Sequence, residues 1–248
     1  MIMEYDGTRY HGSQLQSNAP TVQGETESAL HKLTGEQTRV SMAGRTDAGV
    51  HAKGQVVGFK ARTHFSPKTW VDAMNHYLPK DISVRAAYEV DEPFDVRRHA
   101  SSREYRYHIL NRRTPSALWR HFSESVPQPL DVEAMNTACA VLVGERDFAP
   151  FAPATYTRST RRRALRAEVS RRRELVLFDM EATSFLPHQV RNTVGGLVKV
   201  GLHKMSVEGF REKACSGKAG IIGPTAAARG LCLMNIKYPD FPPSEEIS

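Results

Sequence analysis

The chain has 248 residues, 34 Lys and Arg against 27 Asp and Glu for a net charge of +7, and 40% apolar residues. That length suits one large domain or two modest ones, and the ordinary composition excludes disordered, collagen-like and repeat architectures. No apolar stretch approaches the roughly 18 residues of a membrane crossing, and Cys139, Cys215 and Cys232 are too few and too widely spaced for a disulfide framework or a zinc cage.

The opening Met-Ile-Met-Glu-Tyr-Asp-Gly lacks the basic-then-apolar pattern of a secretory signal, so a reducing cytoplasm is the expected location. Residues 1–5 read as a strand. Thr21 caps a helix running to about Thr34, with Val22, Ala29, Leu30 and Leu33 on one face. A strand near 39–43 enters the loop Gly-Arg-Thr-Asp-Ala-Gly-Val-His-Ala at 44–52, and a strand over 54–61 leaves it. Ser66 and Pro67 then start a helix, as N-cap and first helical residue, that buries Trp70, Val71, Met74 and Tyr77. Residues 82–90 read as a strand.

The second half repeats this grammar. In a strand over 103–110, Arg103, Tyr105, Tyr107 and Ile109 share one face by the period of two. Asp131 caps a helix carrying Val132, Met135, Cys139 and Leu142, which Gly144 ends. Strands at 161–170 and 175–182 form a hairpin connected through Ser-Arg-Arg-Arg. A helix over 187–200 turns Val190, Val194, Leu197 and Val198 inward and ends at Gly201; a shorter helix at 207–214 and a strand at 230–236 follow. The expectation is an α/β (α+β) fold of two similar domains, 1–102 with the Asp loop and 103–248 with the Arg-rich hairpin. Each is a mainly antiparallel sheet with helices on one face, and a basic active-site cleft is expected between them.

The charge is concentrated. Residues 158–173 hold Arg158, Arg161, Arg162, Arg163, Arg166, Arg171, Arg172 and Arg173 against Glu168, a local +7. Residues 97–113 add six arginines against Glu104, a local +5, which leaves the rest of the chain at −5. Arginine suits a polyanion, because its planar fork pairs bidentately with phosphate and stacks on bases; a solvated strand face has the same composition.

The loop at 44–52 carries the most chemistry. It matches neither phosphate-cradle pattern. Asp47 is compatible with an ordinary turn, and equally with an ionised carboxylate beside arginines, acting as nucleophile or base. A metal-dependent nuclease would need two or more convergent carboxylates, and the first 60 residues offer only scattered ones. No Gly-x-Ser-x-Gly elbow is present, and the histidines lack metal spacing.

Several ordered motifs resemble the tRNA pseudouridine synthase A family. They are Tyr5-Asp6-Gly7-Thr8, Gln14-x-Gln16, Thr21-Val22-Gln23, the loop at 44–52 with Gly54-Gln55-Val56, and Ala100-x-x-Arg103-x-Tyr105-x-Tyr107-x-Ile109. Asp147-Phe148, Phe185-Leu186-x-x-x-Val190-Arg191-Asn192 and Ala228-x-Gly230-Leu231-x-Leu233 continue the match along nearly the whole chain. The resemblance implies isomerisation of uridine to pseudouridine at positions 38, 39 and 40 of the tRNA anticodon arm, by a homodimer without cofactor or metal. It carries Asp47 over as the catalytic carboxylate, which either attacks C1′ or takes a proton from C2′. By the same resemblance Tyr105 lies against the target uracil, Arg191 pairs with Asp47, and Arg45 acts in base flipping. Arg158, Arg161, Arg162, Arg163, Arg171, Arg172 and Arg173 would hold the RNA backbone.

Three residues depart from the family's pattern. Ser13 stands where Trp is common, Arg146 where His precedes Asp-Phe, and Gln189 at a position often Met. An alternative from another class is a non-catalytic RNA-binding or RNA-folding protein, on the strength of the arginines and the strand tyrosines.

Overall fold

The structure is a computed structural model that describes residues 1–91, 93–239 and 241. It has mixed α/β content and forms two compact units, Met1–Arg103 together with the chain from Leu233 onward, and Glu104–Cys232.

In the first unit, β1 (Ile2–Tyr5) pairs antiparallel with both β3 (His51–Gly58) and β4 (Ile82–Ala86), and β2 (Ser41–Met42) pairs with β3. The last strand of the chain, β10 (Leu231–Lys237), lies on the other side of β3. Helix α1 (Val22–Thr34) begins where Thr21 Oγ1 accepts the Gly24 amide, and it ends at left-handed Gly35. Helix α2 (Pro67–Tyr77) begins where Ser66 accepts the Thr69 amide, with proline at a position whose amide would have no helical partner. Val22, Ala29 and Leu30 are buried as expected, and Trp70 and Met74 are too. Tyr77 is not: it closes α2, is 37% exposed, and sets its ring edge-on against His76.

The strands around the Asp loop differ from the sequence reading. The one before it is two residues long, and the one after it begins at His51 rather than 54 and stops at Gly58. Pairing explains the early start, since Ala52 is in register with Tyr5 of β1. The strand expected over 82–90 stops at Ala86.

The second unit is built on β5 (Ser102–Leu110), β9 (Leu175–Ala182), β8 (Arg161–Arg172) and β7 (Gly144–Asp147), adjacent in that order. A two-residue strand, β6 (Glu124–Ser125), pairs parallel to β5. Neither β6 nor β7 was legible as a strand, because each is short and polar. Nearly every residue of β9 is buried, as an apolar run closed on both faces requires. Asp131 caps α3 (Val132–Cys139), which packs on β8 and against α4 (Gln189–Gly201) and α5 (Val207–Cys215). A 3-10 turn at Ala140–Leu142 ends α3 early, and Gly144 opens β7 instead of closing the helix. Phe148, Phe151, Phe178, Phe210 and Met135 form the centre of this core.

The hairpin of β8 and β9 is tighter than expected. Arg171 and Arg172 lie in the strand, paired with Val176 and Leu175, and the turn is Arg173 and Glu174, with Arg173 at φ 56°. The division into units also differs from the expected 1–102 and 103–248 at the C-terminal end. Residues from Leu233 onward return to the first unit, where Lys237 O accepts the Ser101 amide and the Tyr238 hydroxyl donates to Val96 O.

Candidate active site

The loop bearing Asp47 spans from β2 to β3 and is pinned to the first unit at Ala43, Gly44, Thr46 and Gly49. Gln55, fully buried within β3, accepts the Gly44 amide through Oε1 at 3.0 Å and donates through Nε2 to Gly44 O at 2.6 Å. The Tyr5 hydroxyl lies 2.8 Å from Thr46 Oγ1 and accepts from Gln55 Nε2 at 3.3 Å. Ser13 grips the residue before Asp47 from both sides: its Oγ accepts the Thr46 amide at 2.9 Å and its own amide donates to Thr46 O at 3.0 Å. Gly12 lies beneath the peptides on either side of Asp47 with φ 96°, and a Cβ there would stand 2.8 Å from Thr46 O, so a side chain would displace the loop.

The far end of the loop is held as firmly. Val50 N donates to Asp47 O, and Gly49 N donates to Tyr10 O. The Gly7 amide donates to His51 Nδ1 at 3.1 Å, and Asp6 Oδ1 lies 3.2 Å from the same nitrogen. His51 is buried, Asp47 half-buried and Arg45 exposed. A buried network with its donors satisfied fixes one backbone path. Asp47 therefore projects from a rigid turn, as a group that must act at a defined place requires.

Tyr105 and Arg191 belong to the second unit. Tyr105, on β5, is 7% exposed and meets Phe185 edge-on with ring centroids 5.0 Å apart. Phe185 lies in the turn that leads into α4, and Arg191 is half-buried in the first turn of that helix. Arg191 Nε donates to Ala226 O at 2.8 Å, and the Ala226 amide returns a bond to Arg191 O. Gln189 Oε1 accepts the Leu186 amide at 2.8 Å, so this departure from the family holds the turn beside Phe185 where an apolar side chain could not.

The arginines divide into two classes. Arg106 forms a two-nitrogen pair with buried Asp179, Arg112 pairs with Glu174, and Arg103 donates to the carbonyls of Ala43, Arg97 and Ala100. Arg166 pairs with Glu104 and Glu168, Arg171 bonds Asn111 and Leu130 O, Arg162 bonds Ser159 O, and Arg161 lies 3.5 Å from Glu145. These charges are partly spent on the fold. The side chains of Arg158, Arg163, Arg172 and Arg173 are exposed and make no hydrogen bond or ion pair among the described residues. Arg146, the second departure, donates to Val143 O.

Sequence reasoning missed Ser13, Tyr5 and Gln55 as the braces of the loop. A signal existed for Gln55, a polar residue inside an apolar strand, which must find partners when buried. Among the described residues no three His, Cys, Asp or Glu side chains converge as metal ligands, and no helix is long and apolar enough to cross a membrane.

A sequence model described as tRNA pseudouridine synthase matches residues 1–97 and 138–239. A protein of Roseiflexus castenholzii named tRNA pseudouridine synthase A is 43% identical over 244 residues, covering 96% of this chain and 89% of the relative. Proteins of the same name from Moorella thermoacetica and Myxococcus xanthus are 43% and 42% identical, covering 96% and 98% of this chain and 98% and 93% of the relatives.

Proposed function

Because the chain belongs to the tRNA pseudouridine synthase A family, and so is an isomerase of tRNA uridine, we propose that it acts at positions 38, 39 and 40 of the anticodon arm with Asp47 as its catalytic carboxylate. The observation that carries this reading is the rigid turn that presents Asp47, gripped at Thr46 by Ser13 and Tyr5 and at Gly44 by Gln55.

The reaction breaks the N1–C1′ bond, turns the uracil and joins C5 to C1′. The proton on C5 leaves and N1 gains one, so atoms and electrons balance without a co-reactant. Asp47 supports this as a nucleophile at C1′ or as a base at C2′, and a kinetic isotope effect from deuterium at C2′ separates the two routes. Tyr105 stacks on the uracil, Arg191 orients the Asp47 carboxylate, and Arg45 fills the gap left by the extruded base or holds its phosphate. Arg158, Arg163, Arg172 and Arg173 hold RNA phosphates, with weaker contributions from Arg161, Arg162 and Arg171, whose charge is shared with the fold. The reading includes a cytoplasmic homodimer, for which light scattering is the check.

Tritium release from tRNA labelled at uridine C5 tests the proposal. Wild-type protein should release tritium, and Asp47→Asn should release none while binding tRNA with unchanged affinity. Release by Asp47→Asn at the wild-type rate would remove Asp47 from the chemistry. No release by wild-type protein at high concentration would favour an RNA-binding role without catalysis.

A further inference from the structure

Tyr107, the second tyrosine of the strand motif, has no task in the reaction above, and neither has the motif Ala228-x-Gly230. Tyr107 is fully buried, yet its hydroxyl lies 2.5 Å from Glu124 Oε2 and 2.7 Å from Ala227 O. The same carboxylate oxygen accepts the Ala227 amide at 3.3 Å. The preceding residue, Ala226, is joined to Arg191 through both its amide and its carbonyl. Two residues after Ala227, Arg229 Nε donates to the carbonyl of Ser123, beside Glu124. Residues 226–229 are thus strung between the first turn of α4 and the β5–β6 pair. Gly230 completes the arrangement, because a Cβ there would fall 2.5 Å from the Tyr107 ring.

The charges follow the same geometry. Burial first, and Glu124 second, push the Tyr107 phenol far above its ordinary range, while Arg191 and Arg229 pull it back. The buried hydroxyl thus touches one carboxylate and feels the charge of two arginines. An arginine side chain has several rotatable bonds whose freedom is lost when it is fixed in one orientation. A guanidinium that must meet a carboxylate in one orientation works best when that loss is already met by a fixed mount.

We propose that Tyr107 and Glu124 are positioning residues, which hold residues 226–229 and through them Arg191 in the orientation the isomerisation needs, without touching the RNA. This rests on the assignment of Arg191 to the active site. The two side chains form a strut and its anchor: Tyr107 fixes the height of the 226–229 segment over β5, and Glu124 accepts both the Tyr107 hydroxyl and the Ala227 amide and so ties the segment to β6.

The test compares Tyr107→Phe, which removes one hydroxyl and keeps the ring, with Glu124→Gln, which keeps the shape and removes the charge. The readouts are tritium release and melting temperature of the full chain. Each variant is expected to lose roughly tenfold or more in kcat, with KM for tRNA within about threefold of wild type and the melting temperature lowered by only a few degrees. A kcat within about threefold of wild type in both variants overturns the proposal, and so does a loss that tracks unfolding or appears equally in tRNA affinity. If wild-type protein itself releases no tritium, the catalytic reading has failed, and that result is distinct from an active wild type with indifferent variants.

Discussion

At the scale of single residues, Ser13 has the largest consequence for its size. Its hydroxyl is the acceptor for the buried Thr46 amide, one residue before Asp47. Ser13→Ala leaves that amide unsatisfied, at a cost of about 1–3 kcal/mol to the observed loop conformation. The expected result is a kcat lowered by about tenfold, with tRNA affinity retained, and partial recovery in Ser13→Thr, which keeps the hydroxyl. Tritium release measured on the three proteins checks this, and an Ala variant with wild-type kcat would show that the loop holds without Ser13. The sequence marked Ser13 only as a departure from its family. Its role depends on a partner 33 positions away, which no local pattern reveals.

At the scale of elements, the hairpin separates arginines whose side chains pair within the fold from those left exposed. A bulge between Ala164 and Arg166 shifts the register of β8 against β9, and Ala164 and Val169 remain buried on either side of it. Arg163, Arg172 and Arg173 stay exposed. Replacing these three by Ala should weaken tRNA binding uniformly across sequences, and should make log K fall less steeply with log salt, by about 0.7–0.9 for each phosphate that is no longer neutralised. Arg106→Ala should behave differently. It strands the Asp179 carboxylate, whose side chain is only 4% exposed, and costs about 3–5 kcal/mol of stability. Binding at several salt concentrations together with urea unfolding separates the two effects, and equal stability losses in both variants would sink the distinction. The hairpin itself was legible from its apolar periods and its turn. Which arginines it leaves unpaired was not, because that depends on acids on neighbouring strands.

At the scale of the whole molecule, buried phenols and a buried thiol set the alkaline limit of stability. Burial pushes the Cys139 thiol up to about 12, and burial likewise raises Tyr10, Tyr107 and Tyr238 above the ordinary tyrosine range. An unfolded chain releases these protons from about pH 9 upward, whereas the folded protein keeps them. The unfolded state then binds fewer protons, so stability falls as pH rises past about 9. Melting temperature measured from about pH 8.5 to about pH 10.5, above the range in which the buried Met1 amine titrates, should decline; a flat profile would contradict the burial of these groups.

By itself the sequence determined the family, the Asp47 loop, the caps of three helices and the two concentrations of arginine. Each of these is written in neighbouring residues, as a turn composition, a capping hydroxyl or carboxylate, an apolar period or a run of charge. Only the tertiary structure decided that the final strand returns to the first unit, that Ser13, Tyr5 and Gln55 brace the Asp47 loop, and that Tyr107 and Glu124 hold the segment bound to Arg191. Those outcomes join groups far apart in the chain. Their hydrogen bonds gain strength from burial, and burial is a property of the packed molecule that no short stretch of sequence contains.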